Sequence, residues 1–136
     1  MELMVVLAIM GLALILAMPT LDRLLPGLEL RTDTRNLVSA LQEARARSIG
    51  RNAVVTVVVD QEQGVLNVDG TLAVRPASGL RILNIMGTGQ SSANAVDGIR
   101  FFPDGTSTGG HLMLALGDRR KHVLVDWLTG AVSVSD

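Results

Sequence analysis

Glu2-Leu3-Met4-Val5-Val6-Leu7-Ala8-Ile9-Met10-Gly11-Leu12-Ala13-Leu14-Ile15-Leu16-Ala17-Met18-Pro19-Thr20-Leu21 opens the chain with one carboxylate and then nineteen residues without a charge. At about 1.5 Å per residue the uncharged run spans roughly 28 Å as a helix, close to the ~30 Å hydrocarbon core of a bilayer. Ten of these residues are Leu, Ile or Val. At about −0.3 to −0.6 kcal/mol each, they favour insertion by roughly 3 to 6 kcal/mol. A carboxylate at the very end of the segment can reach the interface and does not reverse that sum. Residues 1–21 are therefore expected to anchor the chain in a membrane. A cleaved signal peptide would need a basic n-region and a small-residue cleavage site. Nothing basic precedes Leu3, and Ala17-Met18-Pro19 is a poor match to such a site.

The segment runs directly into an amphipathic pattern. Pro19 removes one backbone hydrogen bond and is expected to bend a helix without ending it. Beyond it Leu21, Leu24, Leu25 and Leu28 fall at helical spacing, and Leu37, Val38, Leu41 and Ala44 resume the stripe, with Ile49 about a turn further on. Asp22, Arg23, Arg35, Glu43, Arg45 and Arg47 lie largely off it. Gly50 before Arg51-Asn52 marks a helix end. The pattern predicts one helix from Glu2 to about Gly50, roughly 70 Å long, with Pro26-Gly27 its weakest point. Residues 22–52 form its amphipathic part.

From Ala53 the texture changes. Residues 54–59 are dense in β-branched side chains, which favour a half-buried pleated surface. Residues 64–68 read as their hairpin partner, closed by Asp69-Gly70. Further strands are expected over 80–85, 99–102, 112–116, 122–127 and 131–134, with a loop over 87–94. Pro103-Asp104-Gly105, Gly117-Asp118 and Thr129-Gly130 supply turns. One helix followed only by strands predicts an α+β fold, with the helix burying one side of an antiparallel sheet over residues 53–136.

With 136 residues the chain has room for one anchor and one head of about 110 residues. From Asp22 onward acids and bases balance at twelve each, and only Lys121 is lysine. A neutral head argues against binding driven by a strong net positive field. Cysteine is absent, which excludes disulfides, thiolate metal sites and thiol catalysis. The head must rely on a Val, Leu and Ile core, its only aromatics being Phe101, Phe102 and Trp127.

The first twenty residues, with Glu2, Gly11 and Pro19 in place, resemble the N-terminal segment of type IV pilins and type II secretion pseudopilins. Leu41-Gln42-Glu43-Ala44-Arg45-Ala46-Arg47-Ser48-Ile49 resembles the helix end of the H-type minor pseudopilins. So do Phe101-Phe102-Pro103-Asp104-Gly105-Thr106-Ser107-Thr108-Gly109-Gly110 and Thr129-Gly130-Ala131-Val132. The resemblance implies a pilin-like fold, with the long N-terminal helix packed on an antiparallel β-sheet or β-sandwich. It also implies a single-pass inner-membrane protein whose head faces the periplasm, with other minor pseudopilins and the major pseudopilin as partners. Glu2 matches the family glutamate that pairs with the N-terminal amine of a neighbouring subunit; a carboxylate at low dielectric strongly prefers a cationic partner. Charge offset at a helix N-terminus is the plainer role for the same residue. The family's basic leader, its prepilin peptidase cleavage site and its methylated residue would all lie upstream of Met1, as a start codon assigned too late would explain.

No enzyme constellation emerges, and neither a cofactor nor a metal is expected. His111 and His122 stand eleven residues apart on separate predicted strands and read as ordinary strand-face histidines. No Gly-x-Ser-x-Gly elbow occurs. Gly87-Thr88-Gly89 lacks the rest of a phosphate loop, and Asp104-Gly105 lacks the oxygen spacing of a calcium loop. Arg119-Arg120-Lys121-His122 is a basic cluster, read as a solvated hairpin turn. DNA-binding minor pilins carry their arginines in a C-terminal Gly-Arg-x-Arg motif, whereas residues 130–136 here carry no base. No aromatic stacking platform accompanies Arg119, Arg120 and Lys121, so nucleic acid is not the expected partner. The expected function is that of a type II secretion minor pseudopilin, a structural component of the periplasmic pseudopilus. The alternative is a type IV pilus minor pilin engaged in pilus assembly or DNA uptake.

Overall fold

The computed structural model describes residues 1–77, 79–85 and 98–136, without the side chains of residues 18–26, 84 and 85. Helix α1 (Glu2–Arg51) runs without interruption through Pro19 and Pro26-Gly27. It ends where Asn52 takes the left-handed conformation, φ 51° and ψ 43°. The Asn52 N–H donates to the Ile49 carbonyl at 3.3 Å and the Ala53 N–H to Ser48 at 3.2 Å. These two bonds satisfy carbonyls that a helix terminus leaves without partners, and Asn tolerates this geometry better than most residues.

The strands form two antiparallel four-stranded sheets. One orders β3 (Thr71–Val74), β2 (Val65–Val68), β1 (Val55–Asp60) and β5 (Gly98–Phe101). The other orders β4 (Arg81–Ile85), β6 (Gly110–Leu116), β7 (Arg119–Val125) and β8 (Val132–Ser135). Strand β1 alternates buried and half-buried residues along its length, as a β-branched strand with one face on the core should. The expectation of one antiparallel sheet over the helix thus becomes two sheets, both in contact with α1. Strand β3 is an addition to the predicted set. Asp69 and Gly70 both have positive φ, the geometry of a type I′ hairpin turn, so the chain folds straight back. The predicted 87–94 loop lies outside the described residues.

The core lies between the C-terminal half of α1 and both sheets. Leu30, Leu37, Leu41 and Ala44 meet Val55, Val57, Leu66, Ile82, Phe101, Leu112, Leu114 and Val123 there. The observed helix stripe differs from the predicted one at both ends. Leu28 is 60% exposed and Ile49 is 47% exposed, while Leu30 and Ser48 are buried. At about 100° per residue, a stripe centred on Leu37 and Leu41 points Ser48 inward and swings Ile49 out. Two buried polar groups of α1 are satisfied, one within the helix and one from the head. Thr34 Oγ1 donates to the Leu30 carbonyl at 2.6 Å, and Asp33 Oδ2 accepts from the Ala77 N–H at 2.8 Å.

Candidate assembly site

The N-terminal arm of α1 carries its apolar side chains on every side. From Leu3 to Leu16 the large apolar residues are 55–76% exposed, and Glu2 is exposed in the first turn. An ordinary surface helix hides one stripe and solvates the other; an arm greasy all round requires an apolar surrounding, whether lipid or other helices. Among the described residues no helix is long and apolar enough to cross a membrane. The described part of the run, residues 3–17, is fifteen residues long (17 − 3 + 1), about 22 Å of helix. The uncharged sequence continues to Leu21, beyond the described side chains.

At the other end of α1 the three sequence motifs singled out above meet. Arg45 Nε donates to the Gly105 carbonyl at 3.1 Å. The Ser48 hydroxyl lies 2.7 Å from the Arg45 carbonyl and 3.1 Å from the Phe102 carbonyl, which share its proton. Gly105 N–H donates to the Phe102 carbonyl at 3.0 Å, which closes the predicted turn. Asp104 Oδ1 accepts from Thr106 Oγ1 at 2.6 Å and from the Thr106 N–H at 3.0 Å, and these bonds hold its carboxyl below the ordinary carboxylate range.

The β7–β8 turn is built in the same way. Asp126 Oδ1 accepts from the Thr129 N–H at 2.8 Å, the Thr129 hydroxyl at 3.0 Å and the Leu128 N–H at 2.9 Å. The Thr129 backbone and hydroxyl bonds lower its pKa in turn. Ser107 ties the two turns together: its hydroxyl donates to the Asp126 carbonyl and its N–H to the Trp127 carbonyl, each at 2.9 Å. Gly130, buried with φ 65°, sits against both the Gly105 carbonyl and Arg45. Trp127, 64% exposed, and Leu128 project from this rigid turn.

The remaining predicted residues separate. Lys121 pairs with the Asp136 carboxylate. Arg119 and Arg120 are exposed, and the Arg119 guanidinium lies against Gly27 of α1. The basic cluster is therefore split, with Arg119 beside the helix and Arg120, opposite Ala115, on the other face of β7. His111 and His122 come together across β6 and β7, Nε2 to Nδ1 at 2.9 Å. The register pairs His111 with Leu124, so His122 is its diagonal neighbour on one face, which the sequence separation had hidden. Among the described residues no group of three or more His, Cys, Asp or Glu is placed to hold a metal ion. A surface groove of about 540 Å³ between α1 and β3 gathers Asn36, Ser39, Glu43 and Arg47, with Glu43 and Arg47 already paired at 2.5 Å. Sequence reasoning missed Ser48 and Asp33, whose polar side chains carry no periodic signal.

The family model for type II transport protein GspH matches residues 33–130, from the buried Asp33 to the buried Gly130. The chain belongs to the GspH family. Its sequence is 30% identical over 132 residues to type II secretion system protein H of Xanthomonas campestris pv. campestris, covering 96% of this chain and 78% of that protein. Two solved structures share the fold. The minor pseudopilin EpsH of the Vibrio cholerae type 2 secretion system aligns at TM-score 0.61 and 13% identity, over 79% of this chain and 96% of EpsH. The type IV minor pilin FimU of Pseudomonas aeruginosa aligns at TM-score 0.58 and 14% identity, over 79% of this chain and 89% of FimU. The GspH-family chain is thus a minor pseudopilin of type II secretion, on an α+β pilin-like fold; its likeness to the type IV pilin is one of fold alone. The GspH match includes all of the Arg45, Gly105 and Gly130 junction, so the part of the molecule that identifies the family is also the part that fastens helix to head.

Proposed function

We propose that this GspH-family chain is held in the inner membrane by residues 1–21 as a single pass, with its β-rich head in the periplasm. It is drawn into a short pseudopilus by side-by-side packing of α1 with the helices of other minor pseudopilins and the major pseudopilin. The observation that carries this reading is the arm of exposed apolar side chains from Leu3 to Leu16, continuous with a helix locked into the head at Arg45 and Ser48. Such an arm transmits a pull on its membrane end to the head without a flexible joint in the described backbone.

Glu2 pairs with the N-terminal amine of a neighbouring subunit once both are in the low-dielectric core, where an unpaired carboxylate is costly. Where a leader precedes Met1, prepilin peptidase removes it and the new N-terminus is methylated. The head initiates or caps the filament and carries out no chemistry. Glu2→Ala, introduced with the upstream frame intact, is expected to leave the head folded and to abolish co-purification with the other pseudopilins. Undiminished co-purification and secretion would remove Glu2 from the assembly step. The type IV pilin reading would gain if the head bound duplex DNA tightly and in a salt-sensitive way that Arg119→Gln and Arg120→Gln abolish.

A further inference from the structure

We propose that His111, Met113 and His122 form a binding site for a cuprous ion on the outer face of the β4-β6-β7-β8 sheet. Along β6 and β7, Leu112, Leu114 and Val123 are buried in the core beneath α1. The alternate residues His111, Met113 and His122 therefore share the opposite face of the sheet. The register places Met113 directly across from His122, a pairing that sets Cβ atoms about 4.5–5.5 Å apart. His111 is two residues back along β6 on the same face and meets His122 diagonally, Nε2 to Nδ1 at 2.9 Å. The three side chains make a triangle, and all three are half-buried.

Two imidazole nitrogens facing each other at 2.9 Å hold one proton between them, so one ring donates and the other accepts. A metal ion bound by two nitrogens at about 2.0 Å, with an angle of about 90–120° between the bonds, sets those nitrogens about 2.8–3.5 Å apart. The pair already stands at chelating distance. On binding, the donating ring moves its proton to its other nitrogen, both lone pairs turn to the ion, and no proton is released. The third donor selects the metal. A thioether is soft and favours Cu(I), whereas zinc sites draw on thiolate, imidazole and carboxylate. Among the described residues no carboxylate joins the two histidines. Met113 has three side-chain torsions with which to bring its sulfur to the ring pair. Charge points the same way. Arg120 lies two residues from His122 on this face and is aligned with Arg81 through Ala115. Repulsion from these guanidiniums is about half as large for a monovalent ion as for a divalent one. Leu83 beside Met113 and Leu124 beside His111 supply an apolar border that limits water at the ion.

The full-length chain in detergent is titrated anaerobically with Cu(I) against bicinchoninate, a chromophoric cuprous chelator. The chain should withdraw a single equivalent of copper. X-ray absorption at the copper edge should show nitrogen at about 2.0 Å and sulfur at about 2.3 Å. Met113→Leu, a swap close in volume, should weaken binding by about tenfold or more and remove the sulfur signal. His111→Gln/His122→Gln should abolish binding, and equimolar Zn(II) should leave the copper in place. Copper retained by the glutamine pair puts the ion on the methionines of the arm and overturns the proposal. So does unchanged affinity in Met113→Leu, or displacement of the copper by zinc. The absorption spectrum of the parent needs no variant: a copper shell without sulfur overturns the site whether or not a substitution disturbs the fold.

Discussion

At Gly130 the backbone takes φ 65°, and a Cβ would fall on the Gly105 carbonyl and 2.8 Å from Arg45 Nε. A side chain there meets both left-handed strain, about 1–2 kcal/mol, and displacement of the Arg45 bond, about 1 kcal/mol. Gly130→Ala is expected to cost roughly 2–3 kcal/mol and lower the melting temperature of the purified chain by roughly 10 °C. An unchanged melting temperature would mean the junction can rearrange. Asp104 and Asp126 contribute to the acid response. Each folded-state pKa is lowered by bonds to Thr106 and Thr129 respectively, so the stabilisation is present above the ordinary carboxylate value of about 3.9 and is lost as pH falls through the lower folded value. Acid titration of the melting temperature should therefore fall less steeply below about pH 4 in Asp104→Asn and Asp126→Asn than in the parent. At this scale the turns were legible, because Asp-Gly and Thr-Gly announce them. Ser48 was not: a serine next to an isoleucine gives no reason to expect the hydroxyl inside and the alkyl group outside.

Helix α1 divides into two segments under different rules. Its C-terminal half buries Leu37 and Leu41 completely, and Leu37→Ala or Leu41→Ala should cost about 2–5 kcal/mol each in denaturant unfolding. Leu28→Ala, at an exposed position, should stay within about 0.5 kcal/mol. The reverse order would place the helix on the head in a different rotation. The helix was legible from end to end because its pattern persists past both prolines. Strand β3 was not, since its first three residues are exposed and lack the alternation that marks a strand. Its existence follows from the type I′ turn at Asp69-Gly70, which opens a third strand as well as closing the second.

For the whole molecule, the division into an apolar arm and a β-rich head was readable from composition alone. The pairing of β1 with β5 and the partition into two sheets were not, because both depend on contacts between distant parts of the chain. The same holds for Arg119 beside Gly27 and for His111 beside His122. In the proposed role, the arm reaches an apolar surrounding while the junction at Arg45, Gly105 and Gly130 passes force to the head. Gly130→Ala tests that link: even where it reaches the membrane, it should enter pseudopili less efficiently than the parent, measured by co-purification. The most direct test of the membrane anchor is carbonate extraction of inner membranes from cells expressing the chain from its own locus. The intact chain should stay in the membrane pellet and a variant lacking residues 1–21 should be released; recovery of the intact chain in the extract would rule the anchor out.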